Sequence, residues 1–293
     1  MIVARLASLA GLLVLYSCAR PTPPAQSAAA AQPASAAAQP ATTSVAIAGP
    51  RLLPELAKEF EAERVSGSIA LYDTQDGVLS CSDVARCQKA VIPASTFKIP
   101  NSMIALETGV VEGPDTVLPW DRKQYQVENW NQDLKFRDAF RVSCVPCYQA
   151  IARKVGEAGE RDWVEKLGYG NRNITGGVDG FWLWGELRIS PVEQIDFLRR
   201  FDGNRLPISE RTADIVRDMM ALDVTETYVL RGKTGAARPP EEAMMAYWFV
   251  GWLELGERRV FFATLLDGHA ADVEPLAVRR RVTERVLRAR GLM

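Results

Sequence analysis

Strand signals stand at both ends of the folded part of this chain, and helical signals fill the middle, from Pro93 to about Met220. Before the helical block, "GSIALYD" and "GVLSC" read as two strands joined by a turn at Gln75-Asp76-Gly77. After it, "TYVLRGKTG", "AMMAYWFVGWLE" and "RRVFFATLLD" are rich in β-branched and aromatic residues. A helix-spaced segment, Leu52 to Glu63, precedes the first strands. Another, Glu274 to Arg290, closes the chain with Leu276, Val282, Val286 and Leu287 along one face. Strands from the two ends can share one sheet only if the middle is an insertion. The expected fold is therefore α/β in the α+β sense: an antiparallel sheet flanked by terminal helices, with an inserted all-helical lobe over about residues 93–220. A cleft between two such lobes suits a small-molecule site.

At 293 residues and 47% hydrophobic, the chain can bury a real core. Its 35 basic and 36 acidic residues nearly cancel, which argues against a nucleic-acid partner. The first residues, "MIVARLASLAGLLVLYSCARP", have a charged start and an apolar run from Leu6 to Tyr16, too short for a comfortable membrane span. Residues 1–20 thus read as a secretory signal. Cys18, after Leu15-Tyr16-Ser17, resembles a bacterial lipobox cysteine, so a lipid anchor there, ordinary cleavage nearby and an uncleaved anchor all remain open. Residues 21–50 are dominated by Ala, Pro, Gln and Ser and read as a flexible linker, leaving residues 51–293 as the domain.

Export would let Cys81, Cys87, Cys144 and Cys147 oxidise. Four cysteines allow three pairings, and local closure favours Cys81–Cys87 with Cys144–Cys147. A zinc site is the rival reading. The spacing matches no zinc ribbon and no histidine lies near, so no metal is expected.

The stretch "PASTFKIPN" sets Ser95 three residues before Lys98. On a helix these share a face, and Pro93 suits a helix entrance, although Pro100 is awkward inside one. A serine nucleophile needs a base, and the only histidine, His269, sits far along the chain in "LDGHA". An ordinary lysine is charged at pH 7, but burial lowers its pKa by roughly 3–5 units and frees its lone pair. Ser-x-x-Lys alone is also what an ordinary helix with a solvated lysine looks like. Two further stretches add to it. Lys233-Thr234-Gly235 joins a lysine and a hydroxyl, suited to a carboxylate, with a glycine that lets a ligand approach the backbone. "SCVPCYQ" supplies Ser143 and Val145.

Ser-x-x-Lys, Ser-x-[Asn/Val] and Lys-Thr-Gly in this order, with "PASTFKIPNSMIALETG" and "FWLWGELRIS", resemble the class D, oxacillinase-type serine β-lactamases. The resemblance runs from about Arg51 to Met293. It implies a β-lactamase/transpeptidase-like fold and a β-lactam substrate, in the periplasm of a Gram-negative bacterium, as monomer or homodimer. It implies that Ser95 is acylated and that Lys98, N-carboxylated by CO₂, is the base for acylation and deacylation, with no other cofactor. Trp182 then hydrogen-bonds the carbamate and Val145 forms an apolar wall. Ser143 relays a proton to the leaving nitrogen with Lys233. Thr234 and Arg279 hold the substrate carboxylate, and the N–H groups of Ser95 and Ala236 form the oxyanion hole beside Gly235. Tyr169-Gly170-Asn171 is expected to support the site. "AARPPEEAMMA", after Gly235, is expected to form a loop at the cleft rim.

Two other readings share the motifs. A penicillin-binding D,D-peptidase would hold its acyl-enzyme instead of releasing it. A non-catalytic β-lactam sensor would need a second apolar span, which the sequence lacks.

Overall fold

The computed structural model describes residues 49–238 and 245–293, all within one compact unit, Ala46–Met293. The expected signal sequence, Cys18 and nearly all of the linker lie outside the described residues, as do residues 239–244 of the expected rim loop.

The strands are β1 (Arg51–Leu52), β2 (Val65–Asp73), β3 (Val78–Cys81), β4 (Val117–Leu118), β5 (Leu134–Lys135), β6 (Ala221–Val224), β7 (Val229–Ala237), β8 (Ala246–Leu255) and β9 (Arg258–His269). The helices are α1 (Lys58–Ala62), α2 (Val84–Gln88), α3 (Lys98–Glu107), α4 (Phe136–Arg141), α5 (Val145–Leu167), α6 (Pro191–Asp202), α7 (Glu210–Met219) and α8 (Pro275–Ala289). Seven strands form one sheet in the order β1-β3-β2-β9-β8-β7-β6. Every neighbouring pair is antiparallel except β1 with β3. The β2–β9 ladder, from Val65↔His269 to Asp73↔Val260, joins the two ends of the sequence.

Both faces of this sheet are covered, so side chains of alternating orientation all find apolar partners. Ala70, Trp248, Val250, Trp252 and Ala263 pack with the helical lobe. Their neighbours Ile69, Leu71, Phe249, Leu253 and Phe262 pack with Leu56, Phe60, Val282 and Val286 from the two chain ends. Double coverage explains the run of eight buried residues that opens β8. A one-sided antiparallel strand would alternate with polar residues.

Three expectations change. The inserted lobe is not all helical, because β4 and β5 form a short antiparallel ladder within it. The N-terminal helix is shorter than its pattern: Arg51–Leu52 pairs with β3, and a 3₁₀ turn at Pro54–Ala57 precedes α1. On α8, Leu276 is exposed and Val278 takes the core position, since Leu276 lies in the first turn at the sheet's rim.

The cysteines follow one of the two expected closures. Cys144 is bonded to Cys147. Cys81 and Cys87, expected to pair, are free buried thiols, and the Cys87 thiol donates to Ile69 O at 3.4 Å. Their side chains lie within hydrogen-bond reach of each other without a covalent link, and the Cys87 thiol is also held by the β2 backbone. Among the described residues no cluster of three or more His, Cys, Asp or Glu side chains is arranged to hold a metal ion.

Candidate active site

Ser95 sits in a 3₁₀ turn, Ala94–Phe97, that runs directly into α3. This arrangement removes the difficulty with Pro100. The α-helix starts only at Lys98, so Pro100 falls in its first turn, where a missing N–H costs little. Ala94 enters the turn with φ 53, in the left-handed region where non-glycine residues need outside support. Its N–H donates to Trp182 O at 2.9 Å, which supplies part of that support.

Lys98 is fully buried, and its Nζ donates to Ser95 Oγ at 3.1 Å. The amine lies 5.0 Å from the centre of the Tyr148 ring, and among the described residues no carboxylate contributes to its titration. Burial alone brings its pKa down to about 7, so the neutral form is abundant at neutral pH. Trp182 is stacked on Phe97 with ring centres 5.4 Å apart, and its indole Nε1 is buried without a hydrogen-bond partner. Asn101, one turn beyond Lys98, also buries both amide atoms unpaired. Unpaired buried polar atoms are rare in native folds.

The sheet closes on this turn through Gly235. A Cβ there would meet Pro93 O at 3.0 Å and the Thr96 N at 3.1 Å, so β7 lies against the backbone of the Ser95 turn. Only glycine allows this approach without displacing one of them. The approach brings the stretch of β7 that carries Lys233, Thr234 and Ala236 against the Ser95 turn.

Lys233 Nζ donates to Ser143 Oγ and to Thr234 O at 3.1 Å. Its pKa is held well below the ordinary lysine value, first by burial and then by the charges of Lys98 and Arg279. Ser143 follows α4 with φ 53, and half-buried Val145 begins α5 beside it. The motif is further held by Trp130, whose indole Nε1 donates to Val142 O at 3.1 Å.

Three consecutive arginines on α8 have distinct partners. Arg280 binds Asp223 and Glu284, and Arg281 binds Glu63. Arg279 instead reaches β7, donating to Gly235 O at 2.8 Å, and its Nε has no partner. Burial lowers its pKa to about 10.

Tyr169 lies in the core behind the nucleophile. Gln194 Nε2 donates to Thr96 Oγ1 at 3.0 Å and to Tyr169 Oη at 3.1 Å, tying α6 to the residue after Ser95. A capping box starts α6 and fixes its register: Ser190 Oγ accepts from Glu193 N, and Glu193 Oε2 accepts from Ser190 N. Asn171 Nδ2 donates to Glu186 O at 2.8 Å, and its Oδ1 accepts from Arg188 N at 3.0 Å, which binds the segment carrying Trp182 to the loop after α5. His269 stands at the end of β9 with its ring against Tyr247 and Nδ1 near Ala270 O.

The fold thus joins Ser95, Lys98, Ser143, Lys233, Thr234, Gly235 and Arg279 through direct contacts, with Trp182 beside the turn that carries Ser95. Sequence reasoning missed Gln194, Trp130, Asn101 and Tyr148. Gln194, Trp130 and Tyr148 act through tertiary contacts that no local spacing announces, whereas Asn101 lies one turn from Lys98 on α3 and could have been read from that spacing.

The family model of the penicillin binding protein transpeptidase domain matches residues 64–288. The chain is 38% identical over 237 residues to β-lactamase OXA-10 of Pseudomonas aeruginosa, spanning 80% of this chain and 88% of that protein. It is 37% identical over 246 residues to β-lactamase OXA-48 of Klebsiella pneumoniae, spanning 80% and 91%. Among solved structures, a class D β-lactamase from Nostoc superposes with a TM-score of 0.77 at 42% identity, covering 81% of this chain and 99% of that one. FUS-1 (OXA-85) from Fusobacterium nucleatum subsp. polymorphum superposes at 0.79 and 30% identity, covering 83% and 100%.

Proposed function

The chain belongs to the class D β-lactamases, within the penicillin-binding transpeptidase family, and from that membership we propose how its own residues open a β-lactam ring. It is a serine β-lactamase. The finer reading is an acyl-enzyme on Ser95, with Lys98 as the site of the base and penicillins and oxacillin-type compounds as substrates. The observation that carries it is a lysine wholly out of water, 3.1 Å from the serine hydroxyl, with a pKa brought to about 7.

The residues around Lys98 suit N-carboxylation by CO₂. Only an uncharged amine adds CO₂, releasing one proton, and burial provides the uncharged amine. Trp182 Nε1, buried and unpaired, is the donor available to a carbamate oxygen. When present, the carbamate supplies an oxygen base in an apolar pocket.

Ser95 attacks the lactam carbonyl while its proton passes to the Lys98 side chain. The negative charge on the carbonyl oxygen is met by the N–H groups of Ser95 and Ala236. The carbonyl–nitrogen bond breaks, and Ser143, bonded to Lys233, hands a proton to the leaving nitrogen. Thr234 and Arg279 hold the substrate carboxylate, and Val145 keeps bulk water from the base. A water molecule then hydrolyses the ester on Ser95, returning the free serine.

Helices long and apolar enough to cross a membrane are absent among the described residues. The N-terminal sequence supports export to the periplasm, with Cys18 as the position of any lipid anchor.

The test is mass spectrometry of the protein with a penicillin. Wild type should release its adduct on a timescale of minutes or faster, and Ser95→Ala should form none. An adduct of normal size on Ser95→Ala refutes the nucleophile; one that persists on wild type instead indicates a penicillin-binding peptidase.

A further inference from the structure

We propose that the Cys144–Cys147 disulfide is a positioning element for the reaction, holding Ser143 in the left-handed turn that aims its hydroxyl at Lys233. This rests on the reading of Ser143 as the proton relay given above.

Ser143 has φ 53, a region that a serine keeps only when its surroundings enforce it. The upstream side is well anchored. Ser143 N–H donates to Phe140 O at 3.2 Å, Cys144 N–H donates to Ala139 O at 2.9 Å, and Trp130 holds Val142 O. The downstream side depends on the start of α5, and the chemistry of that start is weak. The residue at the N-cap is Cys144, whose sulfur accepts from Cys147 N at 3.2 Å. Serine, threonine, aspartate and asparagine are the effective N-caps, and sulfur is a poor acceptor. Pro146 suits the first turn but brings no cap of its own, so the sulfur is left as the side-chain acceptor there. The covalent Cys144–Cys147 link closes the turn that this cap would hold poorly.

The link also acts where the chemistry is. Cys144 follows Ser143 directly, so the bond acts on the residue next to the relay. Lys233 is buried, and Ser143 Oγ is one of its two acceptors, the other being Thr234 O. If the turn relaxes, the Lys233 amine loses an acceptor and the leaving nitrogen loses its proton source. Ser95, Lys98 and Arg279 lie on other elements and keep their places. The expected signature is a fall in kcat with little change in KM.

The experiment reduces the folded enzyme with dithiothreitol. A dithiothreitol thiolate attacks one cystine sulfur, its second thiol closes the cyclic disulfide, and the two cysteines each end as a protonated thiol. Alkylation under denaturing conditions, read by mass, should show two more free thiols than before reduction. The kcat for a penicillin should fall about tenfold, with KM within a factor of two and the circular dichroism spectrum unchanged. Reoxidation should restore it. Cys147→Ala, which removes the bond and keeps the Cys144 sulfur at the cap, should match the reduced enzyme and ignore dithiothreitol, which separates this bond from the thiols of Cys81 and Cys87. In a Ser143→Ala background, reduction should cause no further loss, because the two changes act through one group.

An enzyme with two new thiols and an unchanged kcat overturns the proposal. So does a loss of equal size in the Ser143→Ala background, which assigns the bond to general stiffness. So does an untreated protein in which Cys144 and Cys147 already alkylate. If Ser143→Ala alone leaves kcat unchanged, the relay reading fails first and takes the proposal with it.

Discussion

Lys98 Nζ donates to Ser95 Oγ at 3.1 Å from a position with no exposure to solvent, so the nucleophile and its nearest nitrogen share one dry pocket. Placing an amine there has a thermodynamic consequence. An unfolded lysine keeps its proton to about pH 10.4, whereas Lys98 releases it near 7. Between those values the unfolded chain binds more protons, so stability rises with pH across that window. Lys98→Met should therefore be more stable than wild type at pH 7, by at most roughly 3–4 kcal/mol, with the gap closing toward pH 10. Urea unfolding at both pH values in bicarbonate-free buffer, where Lys98 is the free amine, checks this; a variant less stable at pH 7 under those conditions contradicts the neutral buried amine.

Glu160 behaves in the opposite sense. It is fully buried on α5, both carboxyl oxygens lack a partner, and burial raises its pKa to about 8. The folded protein then holds a proton that the unfolded chain releases near pH 4.3, so stability falls as pH rises between those values. Glu160→Gln should match wild type at pH 5 and exceed it by roughly 2–3 kcal/mol at pH 8. Equal stability at both values would mean that the carboxyl is solvated.

Trp182→Phe keeps an aromatic ring on Phe97 and deletes only the unpaired Nε1. Because that atom has no partner to lose, the change in melting temperature should be a few degrees at most. Turnover should fall by tenfold or more in bicarbonate-free buffer and recover in part as bicarbonate is added. Turnover equal to wild type without bicarbonate would remove the indole from the mechanism.

Arg279 and Arg281 are neighbours with separate duties. Arg279 spans to Gly235 O on β7, and Arg281 binds Glu63 at the end of α1. Arg279→Ala should raise KM for a penicillin about tenfold or more, whereas Arg281→Ala should leave kcat and KM within a factor of two. A reversed pattern would move the carboxylate contact to Arg281.

The sequence exposed those parts of the fold that local pattern decides. β8 and β9 were readable because long runs of aromatic and β-branched residues have few other uses, and the structure starts them within a few residues of the expected points. β6 was not, since Ala221–Val224 is short and acquires strand geometry only by pairing with β7. The helix expected from Leu52 lost its first residues to pairing with β3, a long-range competitor that periodicity cannot show. At the site, Ser95, Lys98, Ser143, Lys233 and Gly235 lie within short motifs, so spacing and resemblance named them before their contacts were known. Gln194 and Trp130 reach the site from distant segments, and Cys81 and Cys87 stay unlinked thiols although they are hydrogen-bonding neighbours. Such choices are made by tertiary packing.

The most direct test of the central claim is ¹³C NMR of the enzyme in ¹³C-labelled bicarbonate, with turnover measured on the same sample. A carbamate resonance should appear in wild type, vanish in Lys98→Ala, and rise and fall with activity as bicarbonate is added and removed. Full turnover with no carbamate resonance, and Lys98 present as an ammonium, would contradict the account.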